Sequence, residues 1–215
     1  MKTLGFIHIP KCGGHYIESC CDFTKNNIRH LYHDAYKKQL ITGWDSWKGN
    51  SLTNTFEFTG YETAIINEKI QNLFTVIRNP FDLLVSYYYH NNTNGWANCN
   101  LIHNFNSFKD FIEGYLDPDL KWHYPIIHKH VFGQLYNGKK LLVPTKNILR
   151  LETINSDLKK FKKQYNLDIK TRPSKICNKG QSRPSKNYKE FYTLDQVTRL
   201  EDKFADILTE FNYSF

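Results

Sequence analysis

The sequence has no long apolar run. No stretch approaches the roughly 20 apolar residues that a membrane-spanning helix needs. The N-terminus leads almost at once into an apolar, strand-like segment, which leaves no room for a signal peptide. We therefore expect a soluble, cytoplasmic chain without a membrane span.

Cysteine is sparse and irregularly spaced. The five cysteines are odd in number and form no C-x-x-C pair, which argues against a disulfide framework or a zinc ribbon and favours reduced thiols. Internal repeats and low-complexity segments are also missing. A length of 215 residues fits one α/β domain over residues 1–215, long enough to bury a core.

Acidic residues are fewer than basic ones. Lys and Arg number 29 and Asp and Glu number 21, which gives a formal net charge of +8. This charge favours anionic partners such as a nucleotide, a charged glycan, nucleic acid or a membrane surface. The net charge alone does not show which of these partners binds.

Residues 6–18 combine an apolar run, a turn with one lysine and two glycines, and a helix-compatible stretch. The apolar run is rich in β-branched and aromatic residues and stops at Pro10, while Gly13 and Gly14 let backbone N–H groups converge on a ligand. The next helix would direct its positive end at the same point, and Lys11 adds a full positive charge. The segment predicts a strand, an anion-binding loop and a helix.

Residues 73–89 repeat this order with different side chains. Asn79 and Pro80 suit the cap and the first position of a helix. Arg78 follows the predicted strand and Ser86 lies about two turns into the helix, so a guanidinium and a hydroxyl can converge on one phosphate. The segment predicts a second anion site. Its apolar stripe, at helical spacing, consists of Phe81, Leu84, Val85 and Tyr88.

Later segments predict further helices. Ser107 begins one, and Thr193 with Gln196 forms a capping box for a last helix whose apolar face runs as far as Phe211. Strands that alternate with helices predict a central parallel sheet flanked by helices, with ligands at the carboxyl ends of the strands.

The motifs His8-Ile-Pro-Lys-Cys-Gly-Gly14 and Val76-Ile-Arg-Asn-Pro-Phe-Asp-Leu-Leu-Val-Ser86 resemble the two cofactor signatures of sulfotransferases that use 3′-phosphoadenosine 5′-phosphosulfate (PAPS). The carbohydrate sulfotransferases are the most similar branch. Asn178-Lys-Gly180 and residues 188–192 and 211–215 are similar to the family's C-terminal segment. The resemblance implies a three-layer, P-loop-like α/β enzyme that transfers a sulfuryl group to a hydroxyl, releases 3′-phosphoadenosine 5′-phosphate (PAP) and needs no metal.

The resemblance also implies roles for individual residues. Arg78 and Ser86 would clamp the 3′-phosphate, and Lys179 and Gly180 would cover the nucleotide. Lys11 would stabilise charge on the leaving oxygen. The residues implied to hold the 5′-phosphosulfate are Lys11, Cys12, Gly13, Gly14, His15 and Tyr16. A glycan is the expected acceptor, ahead of protein tyrosine or a small metabolite.

The loop departs from the family pattern, which commonly has Thr or Ser where Cys12, His15 and Tyr16 stand. The backbone N–H donors of the loop are kept despite this change, whereas the hydroxyl donors are lost. His15 either replaces a lost hydroxyl contact to the cofactor or caps the helix. Cys12, beside Lys11 at a helix N-terminus, is expected to be a reactive thiol.

The general base is not marked by the family pattern. Related glycan sulfotransferases often carry a histidine just after a glycine upstream of the second motif, and here Gly60 is followed by Tyr61 and Glu62. A carboxylate takes this role in other branches, so Glu62 is the first candidate. His33 is the second and His30 the third.

Two other functions fit parts of the sequence. A P-loop kinase is suggested because Gly5 to Cys12 is spaced like G-x-x-x-x-G-K-[ST], although Pro10 replaces the second glycine and Cys12 the magnesium-binding hydroxyl. A non-enzymatic nucleic-acid-binding module is suggested by the charge and the aromatics. The sequence contains no nucleic-acid-binding motif, however, and we expect the protein not to bind nucleic acid. Metal binding is possible by histidine spacing, but no nearby carboxylates complete a site.

Overall fold

The computed structural model describes residues 3–9, 11–30, 70, 72–94, 105–117, 135–137, 140–170 and 183–215. The chain divides into two compact units. Unit 1 comprises Met1–Ile77 and Lys129–Cys177, and unit 2 comprises Arg78–His128 and Asn178–Phe215. That residues 1–215 form one domain stays a prediction.

Strands and helices are interspersed along the described part of the chain. In order they are β1 (Leu4–Ile7), α1 (Gly14–Cys20), β2 (Ile28–His30), β3 (Asn72–Ile77), α2 (Pro80–Asn94), α3 (Phe108–Leu116), β4 (Tyr136–Asn137), β5 (Lys140–Leu141), β6 (Ile148–Arg150), α4 (Ile154–Tyr165), α5 (Leu194–Lys203) and α6 (Ala205–Phe211). Short 3₁₀ turns span Thr145–Asn147, Leu151–Thr153 and Tyr188–Phe191. Within the described residues, no helix has both the length and the apolar character needed to cross a membrane.

Unit 1 is built on a parallel sheet of four described strands in the order β2-β1-β3-β6. Phe6 of β1 lies opposite His30 on one side and Phe74 on the other, and Thr75 of β3 lies opposite Ile148. Strands β4 and β5 form a separate antiparallel pair. The prediction of an α/β fold with a central parallel sheet is confirmed.

The core of unit 1 forms because both faces of the sheet are apolar. All four residues of β1 are buried, which places side chains of both faces out of water, as is usual for parallel sheets. Helices α1 and α4 pack on the face that carries Phe6 and Phe74. Residues of this core include Leu4, Phe6, Ile17, Phe74, Val76, Leu158 and Phe161.

One buried amide joins the sheet of unit 1 to α4. The side chain of Asn147, fully buried, donates from Nδ2 to the backbone oxygen of Leu73 at 2.8 Å. Its Oδ1 accepts from Gln164 Nε2 at 3.1 Å and from the hydroxyl of Tyr165 at 2.9 Å. The start of β6 is thereby tied to β3 and to the last turn of α4.

Unit 2 begins with the predicted helix. Asn79 caps α2, because its Oδ1 accepts a hydrogen bond from the N–H of Phe81 at 3.0 Å. The predicted apolar stripe on α2 is buried. The caps of the later helices are confirmed as well: Ser107 accepts from the N–H of Asp110, and Thr193 forms a complete capping box with Gln196.

The last helix differs from the prediction of one continuous helix. It is divided at Phe204, whose backbone angles of −102° and 8° lie outside the helical region, so α5 ends and α6 begins there. The apolar periodicity continues through the break, since Leu200, Ile207 and Phe211 are all buried. Periodicity therefore predicted the buried face but not the break in the helix at Phe204.

We expect the Asn147 amide to be a large single contribution to the stability of unit 1. Asn147→Ala should lower the free energy of unfolding by about 2 to 3 kcal/mol, because it leaves the buried oxygen of Leu73 without this donor. Tyr165→Phe, which removes one of the three bonds, should cost about 1 kcal/mol. Thr145→Ala, at an exposed neighbouring position, is the control and should change stability by less than about 0.5 kcal/mol in urea unfolding. Equal effects of Asn147→Ala and Thr145→Ala would contradict this role.

Candidate functional site

The loop between β1 and α1 has an unusual backbone. Lys11 adopts a left-handed conformation with φ of 65°, and Gly13 follows with φ of 88°. A left-handed backbone is costly for a residue with a side chain, and such residues concentrate at ligand-binding sites. At Gly13 the conformation suits glycine, and a Cβ there would also lie 2.7 Å from Leu151 Cδ1.

Part of the loop's hydrogen-bonding capacity is used internally. The N–H of Cys12 donates to the oxygen of Ile9 at 3.3 Å, and the N–H of Tyr16 donates to the oxygen of Gly13 at 2.9 Å. Among the described residues, no side chain caps α1. The N–H groups of Gly14 and His15, the first two residues of α1, have no partner inside the helix and lie at its positive end.

The side chains at two predicted loop positions are engaged with other parts of unit 1. Cys12 is buried, with 1% of its surface exposed. Its thiol lacks the accessibility that fast alkylation requires, so the prediction that Cys12 is a reactive cysteine is wrong. The hydroxyl of Tyr16 donates to Asn155 Oδ1 at 2.5 Å, which ties α1 to α4.

Gly14 is required by a neighbouring side chain and not by its own backbone angles. A Cβ built on Gly14 would lie 1.9 Å from Nε2 of His8, so the imidazole of His8 fills the space above this glycine. The imidazole also stacks on the ring of Phe6, with centroids 5.7 Å apart and planes 22° apart. The residue pair Gly14 and His8 therefore fixes how closely α1 approaches the end of β1.

One carboxylate lies between two imidazoles beside this loop. Glu18 Oε2 lies 2.9 Å from Nδ1 of His15, and Glu18 Oε1 lies 3.6 Å from Nδ1 of His8. The His15 side chain is 67% exposed, whereas His8 is mostly buried. His15 does not cap α1 in the described structure, which removes one of its two predicted roles.

Unit 2 holds a second cluster in which one carboxylate lies between two basic side chains. It is at the start of α2. Arg78 donates to Asp82 Oδ2 from Nε at 2.7 Å, with Nη2 at 2.6 Å from the same oxygen. Arg183 donates from Nη1 to Asp82 Oδ1 at 2.6 Å and from Nη2 to the oxygen of Lys186 at 2.7 Å. The side chains of Arg78, Asp82 and Arg183 are 11, 16 and 15% exposed. Ser86 is half-buried and lies one turn after Asp82, on the same face of α2.

The last described segment of unit 2 supports this cluster. Asn79 Nδ2 donates to the oxygen of Ser214 at 2.8 Å, and the hydroxyl of Tyr192 donates to the oxygen of Phe81 at 2.7 Å. Burial raises the pKa of Tyr192 well above its usual value, with a smaller contribution from Asp82. The ring of Phe215 packs edge-on against Phe81. The start of α2 is therefore held from several sides.

Four predicted site residues lie outside the described residues: Glu62, His33, Lys179 and Gly180. Sequence reasoning missed four others that the structure brings into the two clusters: His8, Glu18, Asp82 and Arg183. Two local signals were present, since Arg78 and Asp82 are four residues apart and His15 and Glu18 three. No local signal pairs Arg183 with Asp82.

Replacing Gly14 should disturb the packing of His8. Gly14→Ala should lower the free energy of unfolding by about 1 to 3 kcal/mol, because the new methyl group overlaps the imidazole. The double variant Gly14→Ala with His8→Ala should recover most of that loss relative to His8→Ala alone, since the overlapping ring is gone. Additive losses in thermal unfolding would show that the two residues are not in contact.

The left-handed backbone at Lys11 should be visible in stability. Lys11→Gly should be more stable than Lys11→Ala by about 1 kcal/mol, because glycine tolerates positive φ. Lys159, on the exposed face of α4, is the control. There the order should reverse, with glycine less stable than alanine by about 1 kcal/mol. Urea unfolding of the four variants checks both signs, and the same sign at both positions would contradict the Lys11 geometry.

Comparison with known proteins places this geometry in a family. The model of the Sulfotransferase family matches residues 2–213. No curated protein and no solved structure matches the chain. Because the family model covers both clusters and nearly the whole sequence, the chain belongs to the Sulfotransferase family and is a transferase.

Proposed function

We propose that this sulfotransferase takes its sulfuryl group from PAPS and transfers it to a hydroxyl of a carbohydrate. The observation that carries the proposal is the loop after β1, where a lysine with a strained, left-handed backbone precedes a helix that no described side chain caps. Strain at a lysine in such a loop is most simply explained by a ligand that needs the lysine there.

The residues of this loop fit the 5′-phosphosulfate. The N–H groups of Gly14 and His15 lie at the positive end of α1 and suit an anion. Gly13 supplies the left-handed backbone through which the chain turns from Lys11 into α1. Cys12 and Tyr16 would contribute through the shape of the loop, because their N–H groups already donate within it.

The cluster in unit 2 fits a phosphate monoester such as the 3′-phosphate. Arg78 and Arg183 share a single carboxylate, that of Asp82, in a mostly buried setting. Guanidinium groups suit phosphate because their donors form a planar fork. Ser86 would add a hydroxyl donor from the same face of α2, and Lys179 and Gly180 would add cover from the segment before Arg183.

Each residue of the site would meet one demand of an in-line transfer. PAPS supplies an activated sulfuryl group whose leaving group is a phosphate. Lys11 would stabilise the negative charge that grows on the leaving oxygen, and the arginines would hold the far end of the nucleotide so that the reacting atoms stay aligned. A base must take the proton of the acceptor hydroxyl. Glu62 is our first candidate for this base and His33 the second.

The acceptor and the compartment are proposed on more general grounds. A net charge of +8 suits an anionic glycan, and the exposed lysines of α4 provide part of that charge on unit 1. The five cysteines are odd in number and form no C-x-x-C pair, which supports a reducing compartment such as the cytoplasm. No metal ion is needed for the proposed chemistry.

Calorimetric titration tests the donor. PAP should bind, and ATP and single-stranded DNA, titrated beside it, should bind more weakly. Arg78→Ala should weaken PAP binding by about 2 to 4 kcal/mol, as loss of a mostly buried, charge-assisted contact does. The same variant should bind adenosine 5′-phosphate, which lacks the 3′-phosphate, as tightly as the native protein does.

Two further variants control this experiment. Arg78→Lys keeps the charge but loses the planar fork, so it should fall between the native protein and Arg78→Ala. Arg199→Ala removes an exposed arginine paired with Glu113 and Asp195 and should leave PAP binding unchanged. Tighter binding of ATP than of PAP by the native protein would reject PAPS as donor in favour of a kinase-like nucleotide.

A further inference from the structure

The outward side of α4 concentrates positive charge. Residues 159–163 have the sequence Lys-Lys-Phe-Lys-Lys. Three of these lysines, Lys159, Lys160 and Lys163, are exposed. At about 100° of rotation per residue, they lie within about 100° of one another, on the side of the helix away from its buried apolar residues. These three residues form what we call the lysine face, and none of the contacts proposed above uses it.

The lysine face has no acidic partner among the described residues, because none of the ion pairs there involves its three side chains. The one acid on α4, Asp157, accepts from the N–H of Arg150 at 2.9 Å and from the hydroxyl of Thr153 at 2.8 Å. Like charges one turn apart, as at Lys159 and Lys163, repel and lower helix stability. An anion bound across the face would remove this repulsion.

The helix dipole explains only part of this charge. It favours basic residues in the last turn, which accounts for Lys162 and Lys163 but not for Lys159. Another surface helix, α5, has the more usual arrangement, in which Arg199 pairs with Glu113 at 2.8 Å and with Asp195 at 3.2 Å. Interspersed charges of this kind are typical of a surface that faces only water. The lysine face differs from that pattern.

The lysine face extends along the axis of α4 and away from α1. In the first turn of α4, Asn155 Oδ1 accepts from the hydroxyl of Tyr16 of α1 at 2.5 Å. At a rise of 1.5 Å per residue, Lys159 lies about 6 Å and Lys163 about 12 Å further along the axis. Lys162 does not take part, because its Nζ donates to the oxygen of Ile169 at 2.8 Å. A ligand that contacts the whole face must therefore be an extended one with several charges.

The chemistry of the face selects among extended anions. Lysine-rich segments of this length are typical of nucleic-acid and heparin patches. The exposed residues of α4 include no aromatic side chain on which a base can stack and no apolar side chain that can enter a membrane. Lysine ammonium groups are point charges without a planar fork, and they suit sulfate or carboxylate groups spaced along a chain. These features favour an acidic polysaccharide.

We propose that the lysine face of α4 binds an extended acidic polysaccharide through the sulfate or carboxylate groups along its chain. This inference rests on the proposed function, because a carbohydrate acceptor is what brings such a chain to the protein. It narrows the acceptor to a charged polymer and gives that polymer a contact on α4 in addition to the place where its hydroxyl reacts. Recognition is by charge and spacing, so it depends on salt concentration.

Two double variants that lose the same charge test the face. The first combines Lys159→Gln with Lys163→Gln. The second, the control, combines Lys109→Gln with Lys146→Gln at exposed positions elsewhere. Calorimetry at low salt should show that affinity for a heparin oligosaccharide falls about fivefold to thirtyfold in the first variant and less than about twofold in the control. Equal losses would overturn the proposal, because net charge alone would then decide binding.

Charge-conserving substitutions and salt dependence exclude a merely structural role. Combined Lys159→Arg and Lys163→Arg keeps both charges, so its affinity for the oligosaccharide should stay within about twofold of the native value. The slope of log affinity against log salt should become shallower by about one to two in the glutamine variant of the face, because fewer counterions are displaced. An unchanged slope would overturn the proposal. Thermal unfolding of each variant checks that the fold is kept.

Three other probes identify the kind of polymer. Neutral dextran should not bind. Vesicles that contain phosphatidylserine, and single-stranded DNA, should bind more weakly than the heparin oligosaccharide at the same salt concentration. Tighter binding of the vesicles or of the DNA, lost in the glutamine variant of the face, would overturn the polysaccharide in favour of a membrane or a nucleic acid.

Titration with PAP separates this inference from the donor assignment. The glutamine variant of the face should bind PAP within about twofold of the native protein, because the lysines lie outside the proposed nucleotide contacts. If the native protein binds the oligosaccharide through the lysine face but does not bind PAP, the donor is rejected and the polysaccharide site is supported. If it binds PAP and not the oligosaccharide, only this inference is overturned.

Discussion

The described part of unit 1 depends on how the chain leaves β1. This strand is paired on both sides and buried on both faces, so its end cannot shift without disturbing its neighbours. The chain must then turn into α1 within a few residues, and it does so through left-handed conformations at Lys11 and Gly13. The side chains of Leu151 and His8 occupy the space beside the two glycines, so the turn has little freedom to relax. A rigid loop of this kind keeps its N–H groups in place before a ligand arrives, which lowers the cost of binding.

Both clusters use one acid to organise two basic groups. In unit 1, Glu18 lies between two imidazoles, and in unit 2, Asp82 lies between the guanidinium groups of Arg78 and Arg183. Side chains lose rotamer freedom when a ligand fixes them, and the long arginine side chains lose the most. An acid that already holds them reduces that loss, although it also competes with the anion for their donors. Each acid therefore weakens the attraction of its cluster for an anion, but it holds the basic side chains in a defined geometry.

Features that depend on residues close together in the chain could be predicted from the sequence. Features that depend on residues far apart could not. The caps at Asn79, Ser107 and Thr193 were predicted because a cap is decided by residues within one helical turn. The contact between Arg183 and Asp82 joins residues 101 positions apart, and no periodicity or propensity reports on it. The burial of Cys12 was missed for a related reason, since the direction of a loop side chain depends on the core packed around it.

Neighbouring strands of the central sheet are far apart in the chain, and this affects how the protein folds. Thr75 Oγ1 donates to the oxygen of Ile7 from 68 residues away, and the Asn147 amide reaches Leu73 across 74 residues. Contacts between residues so distant in the chain form slowly, because long loops must close before the strands can pair. During synthesis, β1 emerges early but cannot complete its sheet until β6 has left the ribosome. One edge of β1 must therefore stay unpaired until β3 is made, and one edge of β3 until β6 is made, a period in which a chaperone would protect these edges from aggregation.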